Sequence, residues 1–482
     1  MRCIYVITIF LTLSLLSCAP SGTMPMPKAH EHIKYEPMEP LVWKLPNGLK
    51  VIYMEDKELP LVQGALYIPR GTLWERDGDG QVVAAMGYML RQGGTKTLKP
   101  DDLDFRLEKL AASIDSGYSS EFGSVGFSCL SSDFEEVFSI FSDILLNPNF
   151  AQSRLDLWKG QMLESIRRRT DDPGTVASIS FKSLVFGDSP FGRSSTSKDI
   201  KSIKRSDLFK AYNEFIVPDG SYLAIVGNVD KDLLDTTVKK YLSVWQGSPS
   251  SLDREPAFSY SPEKGIYFID QPLEQATIYI GQQGPARLPP DYVAIEAFNS
   301  IFGAGDFGAR LFRTIRTEKG LAYALYGASI HSFLVGQNII VIKTKSESTG
   351  QAIIESLKIL QGMQQKEVEH EELELAKQAI RSSFIFKIDT PEAALKRYVM
   401  LKLLDYPEDY DQTYMDKVDS LNLKDIKNAA NRYWDLNDLV IVVVGDKRSY
   451  NALKDNLDAK QQFLDKLHLK RCSFVERLEE CV

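Results

Sequence analysis

Histidine and cysteine are scarce, five of each in 482 residues. Five cysteines are too few for a fold built on disulfides. Five scattered histidines leave little room for a histidine-rich metal site. Positive charge is not in excess either: 57 basic residues face 65 acidic ones, a formal charge of −8, which disfavours a nucleic-acid binder. Beyond residue 16 no apolar run is long enough to span a bilayer. What is present is ordinary globular composition, with 44% hydrophobic and 25% charged residues, which excludes a disordered or fibrous chain. The length suggests two to four domains and allows a large core without special cross-links.

The first residues read as an address. Met1-Arg2 gives a positive start, and an apolar run from Ile4 to Leu16 has the length of a signal segment. It ends in Leu15-Leu16-Ser17-Cys18, which resembles a bacterial lipobox. Such signals are cut before the cysteine, so residues 1–17 are expected to be removed and Cys18 to carry the lipid. A plain secretory peptide with an incidental Cys18 is the alternative. Residues 18–38, with Pro20, Pro25, Pro27 and Pro37, have little to pack and read as a tether. Ala19 after the cysteine implies, in a Gram-negative cell, the outer membrane facing the periplasm. Cys129 lies in an alternating strand-like run and is expected to be buried. Cys472 and Cys481, nine residues apart, are candidates for a pair in an oxidising compartment, or remain two free thiols.

An internal repeat organises the remainder. Ser202-Ile203-Lys204-Arg205-Ser206-Asp207-Leu208 precedes Leu223-Ala224-Ile225-Val226-Gly227, and Ser420-Leu421-Asn422-Leu423-Lys424-Asp425-Ile426 precedes Val440-Ile441-Val442-Val443-Val444-Gly445. The offset is constant without a gap (420 − 202, 445 − 227). Each copy reads as an amphipathic helix followed by a buried strand that stops at glycine. A looser match joins Val51-Ile52-Tyr53-Met54-Glu55-Asp56 to Ile266-Tyr267-Phe268-Ile269-Asp270. Two homologous halves are expected at 39–250 and 262–460, with a turn-rich linker at 251–261 and a helical appendage at 461–482. Strands near 63–68 and 278–281 alternate with helices near 101–112, 153–169 and 371–385. That spacing is too wide for simple βαβ units and predicts an α+β fold, each half a mixed or antiparallel sheet packed with helices.

Several motifs carry a family resemblance. Leu45-Pro46-Asn47-Gly48-Leu49, Asp171-Asp172-Pro173, Phe186-Gly187 with Pro190-Phe191-Gly192, and Val217-Pro218-Asp219 occur in order in the first half. Ala309-Arg310-Leu311-Phe312 and Arg316-Thr317-Glu318-Lys319-Gly320-Leu321-Ala322-Tyr323 occur in the second. Together they resemble the insulinase-like (M16) zinc peptidases, from about residue 45 to 445. Active members carry HxxEH on a first-half helix, two imidazoles that grip zinc and a glutamate that activates water. Here that helix reads Gly80-Gln81-Val82-Val83-Ala84-Ala85-Met86-Gly87-Tyr88-Met89-Leu90. Aligned on Met89-Leu90, the three positions are Ala84, Gly87 and Tyr88; aligned on Gly80, they are Val83, Met86 and Gly87. Neither register supplies a ligand or a base. The third ligand position falls near Trp158, with Asp156 and Glu164 the nearest carboxylates, and one carboxylate does not make a zinc site. No metal is therefore expected in this chain.

Other histidines do not replace the site. His30 and His32 lie in the tether, His370 sits in an acidic helix start, and His331 and His468 are isolated. No Ser/His/Asp or Cys/His arrangement stands out. The Gly303-Ala304-Gly305-Asp306-Phe307-Gly308 stretch lacks the strand that a phosphate loop requires and reads as a site of close packing or substrate access.

The resemblance implies a role for Arg316 and Tyr323, the family's pair that binds the substrate carbonyl and stabilises the oxyanion. A guanidinium and a phenol suit that task. The alternative is that Arg316 pairs with a neighbouring carboxylate and Tyr323 packs beside a strand. Arg310 and Arg313 read as packing or surface residues. Some bacterial members are two-chain enzymes, one chain bearing HxxEH and the other the Arg/Tyr motif. The expectation is thus a lipoprotein subunit, inactive alone, that supplies Arg316 and Tyr323 to a zinc-bearing partner acting on peptides. An inert scaffold or peptide-binding lipoprotein is the alternative.

Overall fold

A computed structural model describes residues 39–482 apart from 77–80, 248–255, 306, 460–462 and 465–466. The signal segment, Cys18, the tether with its two histidines, and the linker's first five residues, 251–255, lie outside the described residues.

The first half runs β1 (Leu41–Lys44), β2 (Lys50–Glu55), β3 (Leu61–Pro69), α1 (Val82–Gln92), α2 (Pro100–Lys109), β4 (Ser113–Tyr118), β5 (Phe122–Leu130), α3 (Phe134–Leu146), α4 (Gln152–Arg167), α5 (Pro173–Phe186), α6 (Ser197–Ser202), α7 (Arg205–Phe215), β6 (Tyr222–Gly227) and α8 (Lys231–Leu242). The second runs β7 (Gly265–Asp270), β8 (Gln275–Gly284), α9 (Tyr292–Phe302), a π-helical turn Phe312–Glu318, β9 (Ala322–Ile330), β10 (Gly336–Lys345), α10 (Thr349–Gln365), α11 (His370–Ile385), α12 (Pro391–Leu403), α13 (Tyr410–Ser420), α14 (Leu423–Tyr433), β11 (Val440–Gly445), α15 (Lys447–Asp458), β12 (Leu469–Phe474) and β13 (Leu478–Cys481). Two mixed sheets with helices make this an α+β chain.

The sheets repeat one another. The first has the order β1-β2-β6-β3-β5-β4, the second β13-β12-β7-β11-β8-β10-β9. In each, a parallel pair (β2 with β6, β7 with β11) is followed by antiparallel neighbours, and the second sheet adds a further parallel pair of β12 with β7. The repeated sequence does the same local work twice. The Asp207 carboxylate accepts from Lys204 N at 2.9 Å at the start of α7, and Asp425 accepts from Asn422 N at 2.9 Å at the start of α14. Each satisfies a backbone donor that the helix start leaves unpaired.

The same logic explains Asp171-Asp172-Pro173. Asp172 caps α5, accepting from Gly174 N and Thr175 N, and Pro173 occupies a first-turn position that needs no N–H. Its counterpart is Thr390, which accepts from Ala393 N ahead of Pro391. These two helices are exchanged between the halves. Val176, Phe181 and Val185 of α5 lie in one core with Tyr267, Val440, Val442 and Val444 of the second sheet. Leu395 and Val399 of α12 lie in another with Ile52, Tyr67, Ala224 and Val226 of the first sheet. Phe181 is wholly buried and faces Tyr279 with ring centroids 5.9 Å apart. Phe181→Ala should cost about 3–5 kcal/mol. The loss of hydrogen-exchange protection should appear at β8 and β11, although Phe181 precedes the linker. Loss confined to β3 and β5 would contradict the exchange.

The C-terminal residues correct one expectation: 469–481 form strands, not a helix. β12 pairs in parallel with β7, Leu469 opposite Ile266 and Cys472 opposite Ile269. β13 folds back on it with Cys481 opposite Cys472, and these two cysteines form a disulfide. Without them β7 would be an open edge with unpaired backbone groups, and a helix at this place would leave those groups unsatisfied. Cys129 lies in β5 and is buried, and burial, with Asp133 nearby, pushes its thiol up to about 12.

Candidate functional site

Two places decide the chemistry. The first is α1, where the zinc helix would stand. Its buried face consists of Val82, Val83, Ala85, Met86, Gly87, Met89 and Leu90. Gly87 is one of the three expected motif positions in either register. The ring of Tyr118, at the end of β4, occupies the space beside it: a Cβ on Gly87 would lie 2.7 Å from Tyr118 Cδ2 and 3.0 Å from Tyr118 N. The ring also lies against Gly123, where a Cβ would come within 2.3 Å of Tyr118 Cζ, and packs edge-on to Phe215. Burial pushes the pKa of the Tyr118 hydroxyl well above its ordinary value. Ser116 stitches helix to strand by donating to Gly87 O at 2.6 Å and accepting from Arg91 N at 3.1 Å. An apolar helix face and an aromatic ring stand where a zinc-binding helix would need imidazoles and a carboxylate, so the residues present do not fit zinc.

The third-ligand neighbourhood agrees. Trp158 is buried. Asp156 accepts from Gln152 Nε2 at 2.8 Å. Glu164 is held by Arg167 and Arg168, whose hydrogen bonds bring its carboxyl down to about 2. Among the described residues no group of three or more His, Cys, Asp and Glu could hold a metal. His370 opens α11, His331 is taken up below, and His468 is exposed.

The second place is the turn that carries Arg316 and Tyr323. The π-helical segment ends where Lys319 N bonds Thr314 O at 3.1 Å and Leu321 N bonds Ile315 O at 2.8 Å. Gly320, at φ +61°, supplies the left-handed step that lets the chain turn into β9. Buried Ile315 and Leu321 anchor the turn from inside, and Lys319 Nζ ties it to α10 through Glu355 at 3.0 Å. Arg316 and Tyr323 are thereby set on either side of one turn, both exposed, Tyr323 at 48%.

The three arginines of this segment differ. Arg310 makes a two-point contact with Glu372 at 2.8 and 2.5 Å, which fixes the segment to α11. Arg313 lies 3.8 Å from Glu318. Among the described residues Arg316 makes no ion pair; its guanidinium rests over the Phe312 ring, 4.7 Å from the centroid, a contact that leaves its N–H groups available. The Gly303 loop is a close-packing device: Gly303 bridges Gly327 of β9, and a Cβ there would lie 2.5 Å from Leu311.

Residues 202–380 match the family model described as "Peptidase M16 inactive domain". The chain is a homologue of the M16 peptidases. The span that matches includes Arg316 and Tyr323. The "Non-peptidase homolog YmxG" of Helicobacter pylori is 25% identical over 405 residues, 83% of this chain and 92% of that one. An "Uncharacterized zinc protease" of Rickettsia bellii is 26% identical over 402 residues, 81% and 94% respectively. In structure, the M16 inactive domain from Pseudomonas fluorescens superposes with a TM-score of 0.74 at 22% identity, covering 85% of this chain and 98% of that one. A protease from Helicobacter pylori gives 0.75 at 16% identity, covering 85% and 100%. The chain thus shares the two-sheet fold of these structures, and its residues 202–380 are similar to the M16 inactive domain. Tyr118 was missed by the sequence reading; the signal was a tyrosine beside two glycines, Gly87 and Gly123, that meet only in three dimensions.

Proposed function

We propose that this chain is the zinc-less member of a two-chain M16 peptidase, lending Arg316 and Tyr323 to a partner chain that carries HxxEH. The supporting observation is an asymmetry: α1 has an apolar face closed by Tyr118, whereas the Arg316–Tyr323 turn is anchored at its base and exposed at its tip. Zinc, with the base that activates water, belongs in this reading to the partner. This chain contributes donors. Among the described residues no carboxylate pairs with the N–H groups of Arg316, and Tyr323 presents its phenol on an edge strand, both suited to a peptide carbonyl that gains negative charge. The reading includes a lipid on Cys18 that holds the pair at the outer membrane, facing the periplasm.

The test is reconstitution with the HxxEH chain recovered from the same cell. Arg316→Ala and Tyr323→Phe should each lower kcat/KM for an unstructured peptide by about 10²–10³, the usual loss of an oxyanion donor, while assembly measured by size-exclusion chromatography stays intact. Unchanged activity in both variants would move the chain to the scaffold class.

A further inference from the structure

Helix α12 separates two cavities. On one side a cavity of about 670 Å³ lies among α9, α12, α13 and the end of β9. On the other a cavity of about 250 Å³ lies between α12 and the face of the first sheet formed by β3, β4, β5 and β6. Lys396 lines both. The larger cavity has the size of a small-ligand site.

Its walls are aromatic. Tyr292 stacks on Tyr410 with centroids 5.2 Å apart and on Tyr414 at 6.3 Å, and Tyr406 meets Tyr410 edge-on at 4.8 Å. Its charges are already satisfied, with one exception. Glu296 accepts from the Tyr414 hydroxyl and lies 3.7 Å from Lys387 Nζ. Arg397 is bound at two points to Asp411, at 2.8 and 2.5 Å. Burial holds the His331 imidazole below its ordinary value, so it faces the cavity neutral. Lys396 is exposed and makes no ion pair among the described residues, although Glu392 lies one turn before it and lines the smaller cavity with it. An aromatic chamber whose uncompensated charge is a single ammonium at the mouth complements an apolar group that carries a carboxylate.

We propose that this cavity binds the C-terminal residue of a peptide, its apolar or aromatic side chain among the tyrosines and its α-carboxylate at Lys396. The residues before it cross the smaller cavity along the first sheet. The site lies outside the Arg316–Tyr323 turn, and the proposal rests on the reading that this chain handles peptides. It predicts preference for a free, apolar C-terminus.

The experiment uses the full chain in mild detergent and a decapeptide labelled with fluorescein at its N-terminus and ending in phenylalanine, followed by fluorescence anisotropy. The free acid should bind about tenfold or more tightly than the C-terminal amide, the loss expected for a charge-assisted contact. Lys396→Gln, an exposed substitution that folding tolerates, should remove the difference. Ala393→Trp should fill the cavity and abolish binding of both. Arg316→Ala should leave the affinity unchanged, which separates this site from the auxiliary role: loss of peptidase activity in that variant with no effect of Lys396→Gln on affinity would overturn the cavity proposal alone. Equal affinity for acid and amide would also overturn it. So would full displacement of the peptide by laurate at a lower concentration than by unlabelled peptide, which would assign the cavity to a lipid carboxylate.

Discussion

Replacing Gly87 by glutamate is expected to destabilise the chain by about 2–6 kcal/mol and not to rebuild a peptidase. The added Cβ meets Tyr118 Cδ2 at 2.7 Å, Tyr118 N at 3.0 Å and the Gly117 carbonyl carbon at 3.1 Å. Rotating the ring relieves only the first of these contacts. The other two are backbone of β4, which is laddered to β5 from Ser113 to Tyr118. Overpacking of this kind costs about 1–3 kcal/mol, and a buried carboxyl without a partner adds about 1–3 kcal/mol. That sum is a large fraction of an ordinary domain's stability. Urea unfolding checks it, and an unchanged midpoint would show that Tyr118 does not occupy the space. Two further outcomes follow from the same geometry. Ala84→His, Gly87→Glu and Tyr88→His together should bind less than one equivalent of zinc, since the backbone contacts and the buried Trp158 at the third-ligand position remain. Tyr118→Ala should be less harmful in the Gly87→Glu background than alone, with a coupling of at least about 1 kcal/mol.

The contrast between what was and was not legible in the sequence follows from the range of each interaction. The helix-strand repeat at α7–β6 and α14–β11 was readable because capping, amphipathic spacing and the strand-ending glycine are local, and the two copies keep one offset. The absence of a zinc motif was readable because it is a statement about residue types on one helix. The exchange of α5 and α12 was not, since amphipathic spacing says that a helix buries one face but not which sheet receives it. The C-terminal hairpin was misread for a related reason: β12 is a strand because β7 offers it an edge, and that edge lies some 200 residues earlier. The tyrosines of the cavity were not singled out in the sequence: Tyr410 and Tyr414 share a face of α13, whereas Tyr406 precedes that helix. Their partner Tyr292 lies on α9, more than a hundred residues away, and only the fold brings it to them.

A comparable effect is expected at the seam between the halves. Arg287, in the loop after β8, forms an ion pair with Glu121 in the β4–β5 turn, and the two side chains are only 12% and 15% exposed. Arg287 also donates to Leu404 O at 3.1 Å and lies over the rings of Phe333 and Tyr406. Phe333 in turn meets Trp74 of the first half at 5.0 Å. Burial lowers the pKa of Arg287, with Tyr406 and Asp405 opposing the shift, so the guanidinium has given up hydration. Arg287→Met should therefore cost about 3–5 kcal/mol, because it leaves the Glu121 carboxylate buried and unpaired. Adding Glu121→Leu should return most of that loss, since an apolar pair of similar volume avoids the desolvation that the ion pair had to offset. Recovery in the double variant, with restored hydrogen-exchange protection at residues 119–122 and 331–335, would show that the arginine compensates the glutamate's charge. If the double variant stays as unstable as the single one, the essential contribution is the arginine's stacking and its bond to Leu404, which methionine cannot replace.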